Sequence, residues 1–194
     1  MQPLQPKDLW PLPVYETVRN DFRREVIAAK QDRRVSVGPS MSFIFENRLT
    51  VKFQAQEILR AEHIADPAHV SEELEGFNTM LPGDGELSAT LMIELVGTEP
   101  AVHAELARLV GLREHLWLEV GGERVQGRLE GGREDPEARK LSAVQYARFP
   151  VGARRAALLD LSRPAAIFID HPAYPHRAEL TEGVRRSLAK DLET

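Results

Sequence analysis

The densest run of groups able to do chemistry lies between positions 46 and 62, where Glu46, Asn47, Arg48, Gln54, Gln56, Glu57, Arg60 and Glu62 crowd one segment. On helical geometry Glu57 and Arg60 form an i, i+3 pair, on a side that also carries Phe53 and Ile64. Apolar neighbours strip water from both charges, so the sequence leads us to expect a paired, semi-buried cluster. Such a cluster has two uses. It can be an internal network fixing a helix against a sheet. It can also be a polar pocket, with Glu57 as base or ligand and Arg60 as a bidentate anion binder. The candidate binding set is Glu46, Arg48, Gln54, Glu57, Arg60 and His171.

His171 enters through the stretch Asp170-His171-Pro172-Ala173-Tyr174-Pro175-His176, which follows the apolar run AAIFID. An Asp-His pair at a strand end could supply a positioned acid or base, or a metal ligand. A metal site needs three or four ligands, and no spacing brings His63, His69, His103 or His115 to this loop. The Glu-x-x-His signature of helical di-iron proteins is missing too, so no metal and no cofactor is expected.

The remaining chemistry is bounded by composition. With 194 residues and no cysteine, disulfides, thiolate catalysis and iron–sulfur ligation within the chain are excluded. A balance of 25 basic against 30 acidic residues, net −5, argues against a dedicated nucleic-acid binder. Arg19, Arg23, Lys30 and Arg34 form a basic stripe, but Glu16, Asp21, Glu25 and Asp32 interleave with it, as on a solvated flank. No segment approaches the roughly 18 to 20 apolar residues that span a bilayer, and the start lacks a signal-peptide run. A cytoplasmic protein without membrane attachment is expected. Nucleotide, nucleophile-elbow, zinc-protease and EF-hand motifs are absent.

The elements that must position these residues follow from periodicity. A stripe of Val14, Tyr15, Val18, Phe22, Val26 and Ala29 predicts a helix over 14–33. Strands are predicted at 34–38 and 42–46, and a helix at 48–64 that is apolar on two sides, Val51, Ala55, Ile58 and Leu59 against Leu49, Phe53 and Ile64. A helix of that kind lies between layers or at a subunit interface. Asp66-Pro67 caps the next helix, and 86–96 alternates as a half-buried strand. A helix follows Thr98, and a hairpin pairs 115–120 with 124–129 around Gly121-Gly122-Glu123. The segment 130–140 reads as a mobile loop, 141–151 as a strand, 152–160 as a short helix, 165–170 as a buried strand and 177–192 as a terminal helix. Hairpins mixed with helices give an α+β fold, a largely antiparallel sheet with packed helices in a single domain.

The segments RVSVGPSMSFIFENRLTVKFQAQEILRAE (34–62), PGDGELSATLMIEL (82–95), HLWLEVGGERV (115–125), QYARFP (145–150) and IDHPAY (169–174), with DLWPL at 8–12, together resemble a bacterial family, domain of unknown function number 3501. The resemblance spans nearly the whole chain and carries no catalytic residues onto it. It implies neighbours in genome order that are rubrerythrin-type proteins and an iron–sulfur oxidoreductase similar to heterodisulfide reductase subunits, hence an accessory role in peroxide or redox metabolism. The expectation is a non-enzymatic accessory or binding protein, homodimeric, beside such partners. The alternative is a small-molecule enzyme or anion-binding protein built on Glu46, Arg48, Glu57 and Arg60.

Overall fold

The computed structural model describes residues 1–131, 133–135 and 140–193. Of the segment 130–140, expected as a mobile loop, 132 and 136–139 lie outside the described residues, while 134–135 pair with 140–141 as two short strands.

The helix over the first apolar stripe, α1 (Leu12–Gln31), is followed by a hairpin of β1 (Arg34–Val37) and β2 (Met41–Glu46). Two helices come next, α2 (Arg48–Ala61) and α3 (Pro67–Asn78), both capped as the sequence requires. Asn47 accepts from the Thr50 N–H while Thr50 accepts from that of Asn47, and the Asp66 carboxylate receives Ala68 and His69. Then follow β3 (Glu86–Ile93), α4 (Glu99–Arg108), β4 (Leu116–Val120), β5 (Glu123–Gln126) and β6 (Arg128–Leu129). The chain closes with a short pair β7 (Glu134–Asp135) and β8 (Lys140–Leu141), then β9 (Val144–Pro150), α5 (Arg155–Leu159), β10 (Ala165–His171), β11 (Tyr174–Glu179) and α6 (Glu182–Asp191).

The strands form two main antiparallel sheets, one ordered β1-β2-β3-β9-β6 and the other β11-β10-β4-β5. Phe43, Phe45, Leu87, Leu91 and Phe149 of the first sheet share one core with Leu116, Leu118, Ile167 and Ile169 of the second, and Leu106, Leu158, Val184 and Leu188 of α4, α5 and α6 close it. Burial of this size is the main favourable term in folding. The opposite face of the five-stranded sheet is covered by α2 and α3, where Val51, Ala55, Leu74 and Leu81 form a second cluster. Beyond α2, Leu49 and Phe53 pack on Tyr15, Phe22 and Val26 of α1. Apart from the exposed Ile58, the two apolar sides of α2 pack within the chain, and the helix lies between layers, as one of its two sequence readings requires.

Two predicted elements are corrected. The strand predicted at 124–129 splits at Gly127, β5 staying with β4 and β6 crossing to β9 of the other sheet. A Cβ at Gly127 would come within 2.7 Å of the Leu116 side chain and 2.8 Å of Phe149, so only glycine fits the crossing. The terminal helix begins at Glu182, not at 177. Residues 174–179 instead pair with β10 through a two-residue turn, Pro172-Ala173, and the Thr181 hydroxyl caps α6 by accepting from Val184. Pro175 is tolerated because β11 is an edge strand.

Candidate functional site

The cluster on α2 does not close on itself. The predicted Glu57–Arg60 pair is replaced by two bridges to α1. Oε1 of Glu57 accepts the Tyr15 hydroxyl and Nε of Arg19, each at 2.8 Å, and Oε2 accepts Nη2 of Arg19 at 2.7 Å. Arg60 turns to Glu16, its Nε donating to Oε1 at 2.6 Å. The reason is geometric. The bidentate fork of Arg19 meets both carboxylate oxygens from the facing helix, and Arg60 finds its own carboxylate there in Glu16. The Arg19 guanidinium holds the Glu57 carboxyl below its ordinary range, against the opposing effect of burial. Burial, and then the bond to Glu57, push the Tyr15 hydroxyl up.

Glu46 belongs to a separate site. It ends β2 and faces the underside of α2, fully buried, and it is bonded by neutral donors. Oε2 receives the Thr50 hydroxyl and, at 3.1 Å, the Gln54 amide; Oε1 receives the Thr90 hydroxyl at 2.6 Å. Of the expected set, then, Glu46 and Gln54 are together, while Arg48, Glu57 and Arg60 each look elsewhere. Beside Glu46 is a cavity of about 10 Å³ reaching Ser88, Tyr146 and Arg148, room for about one water molecule.

Arg48, first residue of α2, reaches the N-terminal segment, where Nη2 donates to Asp8 at 2.5 Å. His171 is far from this helix in the fold. Its Nδ1 accepts the Ala173 N–H at 3.1 Å within the β10–β11 turn, and its Nε2 donates to the Val110 carbonyl at 3.2 Å, tying that turn to the segment after α4. The neighbouring His115 packs edge-on to it at 5.0 Å and bonds Asp170 through Nδ1 at 2.9 Å. No group of three His, Asp or Glu side chains among the described residues is arranged to hold a metal.

Sequence reasoning missed the feature that shapes this end of the molecule. Residues 4–13, with a 3-10 turn at Pro6–Asp8 and the first residues of α1 at their end, form a strap over α2 and α3 anchored by two side-chain amides. Gln56 accepts the Trp10 N–H and donates to the Trp10 carbonyl, both at 3.0 Å, and Asn78 does the same for Leu4 at 2.7 and 2.9 Å. Between the strap, the end of α2 and the start of α3 lies a pocket of about 340 Å³, walled by Trp10, Pro11, Leu59, Ile64, Pro67 and Val70. The spacing of Pro3, Pro6, Pro11 and Pro13 was the available signal, since prolines restrict the backbone, favour helix starts and keep a segment out of a sheet. The residues offered as reactive are those that weld the helices, and the opening lies beside them.

The family profile described as "Protein of unknown function (DUF3501)" matches residues 3–192, which leaves only the extreme ends of the chain outside it. The chain belongs to the DUF3501 family. A crystal structure of a novel protein of unknown function from Burkholderia pseudomallei K96243 is similar to this DUF3501 chain, with 36% identity, a TM-score of 0.89, 99% of this chain covered and 100% of that one. The two-sheet architecture is therefore shared along the whole length. No curated protein matches the DUF3501 chain. Among its described residues no helix is long and apolar enough to cross a membrane.

Proposed function

We propose that this chain is an accessory binding protein with no reaction of its own, acting as a homodimer beside rubrerythrin-type and iron–sulfur redox partners. The observation that carries the reading is the fate of the acid–base residues. Glu46, Arg48, Gln54, Glu57, Arg60 and His171 are each bonded to another part of the fold. A general base or nucleophile needs a lone pair aimed at substrate, and an anion-binding arginine needs a free fork. Arg48 and Arg60 are each ion-paired already, with Asp8 and Glu16, so an anion at either would meet a carboxylate held beside it. The chain has no cysteine, so any thiol or iron–sulfur chemistry that it serves would have to be supplied by a partner.

The test combines self-association with partner capture. Sedimentation of the purified chain is expected to give a dimer, and immobilised chain is expected to retain purified rubrerythrin-type or iron–sulfur oxidoreductase components. A monomer that retains neither removes the proposal.

A further inference from the structure

We propose that the pocket under the N-terminal strap binds an uncharged apolar small molecule, aromatic or branched aliphatic. The inference deepens the binding-protein reading, on which it rests only in asking no reaction of the site.

Size is the first argument. At about 340 Å³ the space falls at the lower end of the range of pockets that enclose small ligands. Chemistry of the walls is the second. No charged side chain lines the pocket, and its amide, Gln56, spends both ends on the Trp10 backbone. A charged ligand would therefore lose its hydration with no counter-charge in return, whereas an apolar one loses nothing by entering.

The third argument is that the space is held open by bonds that owe nothing to its contents. Two apolar surfaces facing each other across water ordinarily close. Here the height of the strap is set by the amide bridges at Leu4 and Trp10 and by the Asp8–Arg48 ion pair; Pro6 stiffens the backbone between them, and Pro11 and Pro13 fix its entry into α1. The Trp10 ring is braced in turn by Phe22, edge-on at 5.0 Å, and by the Lys52 ammonium 3.7 Å from its centroid. A rigid apolar cavity of this kind is preorganised, so a guest meets walls that need no ordering on arrival.

N-phenyl-1-naphthylamine, an uncharged fluorescent probe, tests this on the full chain, with 1-anilinonaphthalene-8-sulfonate as its charged relative. The expected result is saturable one-to-one binding of the uncharged probe and at least tenfold weaker binding of the sulfonate. Ala65 is exposed at the lip of the pocket, so Ala65→Phe should narrow it and Ala65→Asp should charge it. Each is expected to weaken the uncharged probe at least tenfold with the melting temperature unchanged. Absence of saturable binding, equal affinity for both probes, or binding indifferent to both substitutions overturns the proposal. These outcomes are separate from dimerisation and partner capture. Failure here leaves the accessory reading to its own test, and probe binding without partner retention removes that reading while the pocket stands.

Discussion

Tyr15 and Arg19, one turn apart on α1, meet on the same oxygen of Glu57, the hydroxyl and Nε both 2.8 Å from Oε1. The second oxygen takes Nη2 of Arg19 at 2.7 Å, so one carboxylate on α2 closes three bonds to the facing helix. Tyr15 is wholly buried and has this acceptor for its hydroxyl, while Phe22 packs edge-on to its ring at 6.5 Å. The contact couples the polar seam between the helices to the aromatic cluster beneath it.

Removing that carboxylate leaves a buried hydroxyl with no acceptor. Glu57→Ala is expected to lower stability by about 2 kcal/mol, Glu57→Gln by about 1 kcal/mol because one acceptor remains, and Tyr15→Phe by less than Glu57→Ala because the Arg19 bridge survives. Urea unfolding of the three variants decides the order. An equal loss in all three would contradict a shared carboxylate.

The pH dependence has a defined sign. Glu57 is held below its ordinary value of 4.5, chiefly by Arg19, so its contribution is fully present above that value and is lost as pH falls through the lower, folded-state value. Glu57→Gln should therefore show a shallower decline of stability below about pH 4.5 and run parallel to the parent chain above it. Thermal melts between pH 3 and 7 make the comparison, and identical acid limbs would refute it.

Gln56 is the clamp on the strap. Gln56→Leu keeps the volume and removes both bonds to Trp10, at an expected cost of roughly 1–3 kcal/mol localised at residues 4–13. Trypsin cleavage after the exposed Lys7 should accelerate several-fold while the helices behind it remain intact. Unchanged cleavage would mean that the strap is held by something else.

Arg33 is 2% exposed and bonds the Asp191 carboxylate, the Ser187 hydroxyl and the carbonyls of Phe45 and Glu46, tying α6 to the end of β2. Asp191→Ala leaves that cation buried beside neutral groups and should cost about 3–5 kcal/mol. Arg33→Met combined with Asp191→Leu should cost less than Asp191→Ala alone. A double variant worse than the single one would show that the pair contributes more than mutual neutralisation.

Much of this fold was legible because its strong periods are real. The stripe through Tyr15, Phe22 and Val26 is the buried face of α1, and Leu87, Ala89, Leu91 and Ile93 alternate into the core as β3. Where tertiary context decides, reading stopped. The turn at Gly121-Gly122 is a local signal, but departure of the chain at Gly127 toward β9 answers to a neighbour not adjacent in sequence. Leu180, Val184 and Leu188 repeat every fourth residue and do face the core, yet extending that period back to 177 ignored the alternation of Tyr174, His176 and Ala178, which is a strand's. The candidate site was legible as a set of residues and not as a set of partners. The spacing of Glu57 and Arg60 is a property of one helix, whereas the choice of Arg19 and Glu16 depends on how α1 lies on α2.

Gly127 carries a mechanical consequence. With β5 ending at Gln126 and β6 starting at Arg128, the polypeptide steps from one sheet to the other at Gly127 and ties them covalently at that point. The apolar pocket lies on the far side of the five-stranded sheet from that crossing, under a strap with its own bonds to Gln56 and Asn78. A side chain at the crossing would have to push Leu116 and Phe149 apart, so one missing Cβ sets how closely the two sheets meet.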